Sequence, residues 1–249
     1  MPGRFLLLVP ILLGLAGAVG VPLLLLADGA LAPQRPGGLG RPVSEILALV
    51  LRSGWLALGP AVLASALAFL AGVLAVFTPW FRRCYRAALR ALLFTNPVFL
   101  VIGAGVLLTA LSPSLAVVLT STYLLLPVVG TIVLAAAERH PAEVLRAARS
   151  LGASPACIAR THLLPYLVPQ LLLSTLLGFA LALGFYLLPV LVGLGRVVTL
   201  GSAIDSAANR VGDGAAACQL GLLSLALTGV ILLAGVLLLH ALRRIGAAR

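Results

Sequence analysis

Six long apolar runs decide what this chain can fold into: residues 5–27, 55–78, 91–110, 114–137, 166–192 and 219–241. A bilayer core is about 30 Å thick, and about 20 apolar residues in a helix cross it. Only a helix or a closed barrel satisfies every backbone N–H and C=O in lipid. Barrel strands are about 10 residues long and alternate apolar with polar. These runs are continuous and roughly twice that length. The expected fold class is therefore all-α: a polytopic membrane protein with six transmembrane helices. Charged residues make up 9% of the chain, against about 25% in soluble domains, and the runs leave no room for a soluble domain of ordinary size.

The charge that remains is lopsided, with 17 basic residues against 6 acids. Every basic residue is arginine. If the spans alternate from a cytoplasmic N-terminus, the inner side holds Arg4, Arg82, Arg83, Arg86, Arg90, Arg139, Arg146, Arg149, Arg160, Arg243, Arg244 and Arg249. The outer side holds Arg35, Arg41, Arg52, Arg196 and Arg210. The positive-inside rule then places both termini in the cytoplasm. Read this way, the excess charge is an orientation signal and not a nucleic-acid footprint. Cys84, Cys157 and Cys218 are far apart and show no metal spacing, so they read as small apolar fillers. The start, "MPGR" with "AGA" at 16–18, resembles a signal peptide, but its apolar run continues to residue 27. That is longer than the usual 7–15 residue signal core, so an uncleaved first span is expected.

Between the runs lie segments of different character. Residues 28–54 open with a Pro/Gly-rich loop; Ser44 then caps a short helix lying at the interface or leading into the second span. Trp55 sits where interfacial aromatics are expected. "FTPWFRRCYRAALR" is an inner segment with four arginines, and Trp80, Phe81 and Tyr85 mark the headgroup level. It is an anchor or part of a docking surface. Asn96 beside Pro97 inside the third run is costly unless its amide and the freed backbone find partners. It is a helix-packing contact or part of a polar pathway. "LSPS" at 111–114 makes spans three and four antiparallel neighbours. Thr120, Ser121, Thr122 and Tyr123 form a polar patch, with the hydroxyls expected to bond their own backbone. Residues 193–218, rich in glycine, form an outer segment with one short helix across 202–210; Asp205, Asp213, Arg196 and Arg210 are expected there solvated or paired. Asn96, Tyr123 and Tyr186 are the candidate translocation-pathway residues.

The densest island of charge is "VLRAARSLGASPACIARTHLLP", residues 144–165. It reads as two short helices on the cytoplasmic side. Pro141 suits a first helical turn, and Glu143 near the start with Arg146 and Arg149 near the end complement the macrodipole. Val144, Leu145, Ala148 and Leu151 fall on one face. Gly152 is a C′ glycine. Ser154 is an N-cap, and Pro155 opens a second helix running to about 162. Pro165 and Pro169 mark the start of the fifth span. A rigid helix with small residues such as Ala147 and Ala148 is a suitable knob for a groove on another protein; the bland alternative is an ordinary capped loop.

This island resembles the cytoplasmic coupling motif in the membrane subunits of type I ABC importers. That motif reads Glu-Ala-Ala, three residues, Gly, nine residues, Ile, one residue, Leu-Pro. Ala147, Ala148, Gly152, Leu164 and Pro165 match it at that spacing. Arg146 stands where the family often has Glu, and His162 where it has Ile or Val. The stretch "YLLPVLVGLGRVVTLGSAID", with "GDGAAACQLGLLSL" after it, resembles the spermidine/putrescine permease branch.

The resemblance implies a permease subunit in a bacterial inner membrane, with Arg146, Ala147, Ala148, Gly152, Ala153, Ser154, Pro155, Leu164 and Pro165 facing an ABC ATPase dimer. It further implies a second permease subunit, identical or different, and an extracytoplasmic binding protein, with membrane lipid around the spans. Residues 1–54 would hold the first span and outer segment. Residues 55–242 would be the transporter domain, with its coupling segment at 138–165, and 243–249 the tail. The expected cargo is a polyamine, with iron, thiamine, sulfate or phosphonate as alternatives. No catalytic residue, metal or cofactor is expected; with no GxxxxGK[ST] phosphate loop and no lysine, the chain is not expected to be the ATPase itself. The competing classes are an intramembrane enzyme and a scaffold without transport. The first would need paired acids, a Ser/His pair or metal ligands within spans; the six acids lie between the runs, and His240 stands alone at the end of the last one.

Overall fold

Alanine spacing sets the centre of the fold. Ala57, Ala61, Ala64 and Ala68 recur at intervals of three and four, so they share one face of a helix. In a computed structural model, which describes residues 23–31, 43–95, 103 and 112–247, that face is buried against Leu125, Val129, Val133, Phe179 and Leu183. Small residues at such a seam let backbones approach closely, which matters in lipid because the tails are as apolar as leucine and packing must supply the attraction.

The described residues are helical throughout, apart from turns. Helix α1 spans Val43–Phe77, α2 Pro79–Phe94, α3 Pro113–Glu138 and α4 Ala142–Ser150. Helix α5, Pro155–Ile158, continues through a π-helical segment, Ala159–Leu163, into α6, Leu164–Leu183. The short helices α7, Leu187–Leu191, and α8, Leu200–Asp205, follow, then a second π-helical segment, Ser206–Val211, and α9, Gly214–Ala247. Residues 23–31 are also helical. Helix α1 packs on both α3 and α6, and α9 lies against α6. A hydrogen bond of 2.7 Å from Thr175 Oγ1 to Ser65 Oγ ties α6 to α1 inside the bundle.

Among the described residues four stretches are long and apolar enough to cross a membrane: Ser44–Phe77, Pro113–Glu138, Pro155–Leu183 and Gly214–Leu239. Most of the runs 5–27 and 91–110, with Asn96, lies outside the described residues. The structure changes three boundaries. Residues 44–54 are the first turns of α1, whose 35 residues at about 1.5 Å each give roughly 52 Å, well beyond the bilayer core. The helix runs without a break through the 54/55 boundary. The expected 166–192 span stops at Leu183, with Gly184 as its C-cap residue. The same span begins earlier than expected, at Pro155.

The four-arginine segment is a helix. Thr78 and Pro79 separate α2 from α1, and the chain turns so that α2 lies on α1 and α3. Phe81, Tyr85 and Leu89 form its apolar face, seated on Ala75 and Leu134. Gly130 of α3 permits this seat: a Cβ there would stand 2.7 Å from the Tyr85 hydroxyl and 2.8 Å from Leu89 Cδ2.

Candidate functional site

The island at 138–165 is built by two caps. Helix α4 begins one residue later than the sequence suggests, with Pro141 as the residue before its first turn. It ends at Gly152, which takes φ +80°. The amide of Ala153 bonds the carbonyl of Ala148 at 3.1 Å, and that of Gly152 bonds Arg149 at 3.0 Å. This is a Schellman closure, and it needs a left-handed residue where Gly152 stands. Two residues on, the Ser154 hydroxyl accepts from the Cys157 amide at 3.2 Å, and Pro155 opens α5. Two adjacent caps leave little freedom in the turn between α4 and α5.

The expected second helix ending near 162 does not end. It enters the π-helical segment and becomes α6, so Leu164 and Pro165 stand in the first turn of a membrane helix. The amide of Leu164 reaches back to the Ala159 carbonyl, five residues away. Pro165 has no N–H and crowds the preceding turn; the wider π turn takes up that strain without a break.

Three contacts brace the island and its neighbours to the bundle. The Arg149 guanidinium lies over the Phe77 ring at the end of α1, 5.1 Å from its centroid. His140 meets Tyr166 of α6 edge-on, with ring centroids 4.9 Å apart. Arg86 of α2 pairs with Glu138 at the end of α3. The arginine-rich helix and the island thus share one end of the molecule.

The island presents most of its candidate residues outward. Arg146, Ala147, Gly152, Ser154, Pro155, Leu164 and Pro165 are exposed, while Ala148 and Ala153 are half-buried. The expected single apolar face splits: Leu145 and Ala148 turn inward, whereas Leu151 is 86% exposed. Leu151 caps the C-terminus of α4, where the helical spacing that defined the face no longer applies. His162 and Cys157 are exposed as well, and so is Cys84; neither cysteine is a core filler.

The candidate pathway residues stand on separate elements. Tyr123 is two-fifths exposed on α3. Tyr186 lies between α6 and α7, about 30 Å of helix from the island. The hydroxyls of Thr120 and Thr122 do bond their own helix, to the carbonyls of Ala116 and Val118. No sequence signal marks the polar centre at Ser53. Its hydroxyl donates to the Leu49 carbonyl and accepts from the Leu200 amide, both at 2.7 Å, which pins the start of α8 to α1. Ser53, Ser121 and Thr199 line a cavity of about 20 Å³ there, room for one water. The acids also differ from expectation. Asp213 is buried, and its Oδ1 accepts from the Ala216 amide at 3.1 Å in the first turn of α9. Asp205 Oδ1 accepts from Asn209 Nδ2 at 2.8 Å. The pattern Asp-Gly before an apolar run was a legible cap signal at Asp213. Among the described residues no group of three His, Cys, Asp or Glu side chains could hold a metal ion.

The fold matches a chain of the MetNI methionine ABC transporter in its inward-facing conformations, with TM-score 0.64 and 20% sequence identity, covering 80% of this chain and 98% of that one. No curated protein matches the sequence significantly. The family model described as "Binding-protein-dependent transport system inner membrane component" matches residues 5–249. That family implies a separate ATPase and a substrate-binding protein as partners. The chain belongs to the family of inner membrane components of binding-protein-dependent transport systems, and it is a permease subunit of an ABC importer.

Proposed function

We propose that the α4–α5 island is the contact through which a separate ATPase drives this subunit. On this reading the arginine-rich end faces the cytoplasm, both termini lie there, and the chain forms half of the translocation pathway beside a second permease. The observation that carries it is the doubly capped turn at 151–155: rigid, exposed, and continuous through α5 with a membrane-spanning helix. A push on Ala147, Gly152 or Pro155 has no loop in which to dissipate before it reaches α6. Arg146, Ala148, Ala153, Ser154, Leu164 and Pro165 complete the contact, with Leu151 added as its apolar knob. The arginine distribution supports the orientation. The cargo we propose is a polyamine, supported by the likeness of residues 186–205 and 212–225 to that branch.

Gly152 gives a clean test. A Cβ added there meets nothing within 4 Å among the described residues, and Asp and Asn tolerate the left-handed region better than other residues. Gly152→Asp therefore costs the fold about 1 kcal/mol while placing a charged group on the proposed contact. In proteoliposomes holding the assembled transporter, we expect the variant to insert normally and to lose ATP-driven uptake. Unchanged uptake would refute the coupling reading.

A further inference from the structure

The cavity at the other end of α6 has the chemistry of a binding site. It holds about 400 Å³ and is walled by Tyr186, Gly201, Asp205, Asn209 and Ser224 together with apolar side chains. Gly201 lets the tyrosine into the wall: a Cβ there would stand 3.1 Å from Tyr186 Cβ and 3.3 Å from its Cα. The second π-helical segment begins at Ser206, directly after Asp205, and carries Asn209. Such segments are rare and concentrate where a helix must present side chains to a site.

The hydrogen bonding of the polar wall decides the sign of the ligand. Asn209 spends an amide N–H on Asp205 Oδ1. Asn209 Oδ1 and Asp205 Oδ2 make no hydrogen bond among the described residues, so the pair offers two acceptor oxygens and one negative charge beside the second Asn209 N–H. The Tyr186 ring, 47% exposed, adds a face that attracts cations. Arg210 lines the neighbouring cavity that Asp205 also borders. It forms no ion pair with Asp205; the Arg86–Glu138 bridge is the only one among the described residues. The carboxylate is thus without an ion-pair partner among the described residues, beside a cavity large enough for a small organic molecule.

We propose that this cavity binds a small organic cation, an ammonium compound with several N–H donors, on its way to or from the translocation pathway. The proposal rests on the permease reading and sharpens its cargo from a polyamine by resemblance to a cation by chemistry. Asp205 and Asn209 would hold an ammonium group, and Tyr186 would cover its alkyl chain.

The test uses the assembled permease–ATPase complex in nanodiscs, without the binding protein, and radiolabelled spermidine and putrescine as probes. Saturable binding is expected, displaced by unlabelled diamine and not by 1,4-butanediol or sulfate. Asp205→Asn keeps the shape and the acceptor for Asn209, so it removes charge alone. It should weaken binding about tenfold, the worth of one charge-assisted hydrogen bond. Asp205→Glu should recover part of the loss, and Arg210→Gln should tighten binding about twofold by removing a nearby positive charge. Absence of saturable binding, equal displacement by the diol or sulfate, or binding indifferent to Asp205→Asn would each overturn the proposal. Binding is read without ATP turnover on the parent and the Asp205 variants, whereas the Gly152 contact is tested by ATP-driven uptake. Failure of the coupling reading and failure of the cation site are thereby told apart.

Discussion

At the scale of single residues, Tyr85 and Leu151 show what sequence can and cannot reveal. The sequence places Tyr85 at the headgroup level. In the fold its hydroxyl is buried against α3 and has no hydrogen-bond partner among the described residues, and burial pushes the phenol above its ordinary pKa. A buried, unpartnered hydroxyl costs about 1–3 kcal/mol. Tyr85→Phe should therefore raise stability by about 1 kcal/mol, read as a higher melting temperature in detergent. The sign with pH follows. The folded chain keeps the phenolic proton above about pH 10, where the unfolded chain releases it. Stability from this group is constant below that pH and falls above it, and the alkaline loss should be smaller in the variant. Gly152, by contrast, was legible as a helix-ending glycine, because Gly-Ala-Ser-Pro puts a C′ glycine two residues before an N-cap serine and a first-turn proline. Leu151 was placed on one face with Val144, Leu145 and Ala148; periodicity cannot see that a C-cap residue leaves the helix axis. We expect Leu151→Ala to leave the chain folded, its side chain being exposed, and to weaken co-purification of the ATPase.

At the scale of elements, the continuity of α5 with α6 is the feature that sequence concealed. Prolines at 165 and 169 look like a break. Pro165 lacks the N–H that a continuous helix would use there, and the π turn before it accommodates the ring. The extra residue in that turn rotates α5 relative to α6 by about 100° compared with a regular helix. Pro165→Ala removes the reason for the wide turn. If the segment regularises, Cys157 moves off its exposed position, so its rate of maleimide labelling should change, and ATP hydrolysis should run with less uptake per turnover. Labelling and coupling both unchanged would mean that the π turn plays no part in transmission. Helix α1 offers a contrasting case. Its alanine stripe predicted a close helix seam, and the seam is there, but the Ser65–Thr175 bond across it could not be paired from one sequence. A Ser65→Ala, Thr175→Val cycle should give a coupling of about 0.6 kcal/mol, the usual worth of a hydroxyl bond in a membrane bundle.

At the scale of the whole molecule, hydropathy made the helical class legible, because lipid forbids almost every other backbone arrangement. It located the cores of α3 and α9 well and missed the ends of α1 and α6, where amphipathic or polar turns extend an apolar helix beyond the membrane. The site was legible as a motif and not as an assembly. Nothing in the sequence said that Arg149 would rest on Phe77, that His140 would meet Tyr166, or that α2 would gather at the same end through Arg86 and Glu138. Those contacts join residues 26 to 72 positions apart and depend on the packed bundle. They make the island a rigid extension of the spans. The central claim, that this extension meets a separate ATPase, is tested most directly by a photo-activated cross-linker at Leu151 in the assembled transporter. We predict that it captures the ATPase, while the same group at Leu194, 65% exposed at the opposite end, does not. Capture of the ATPase from Leu194 alone, or from neither position, would contradict the account.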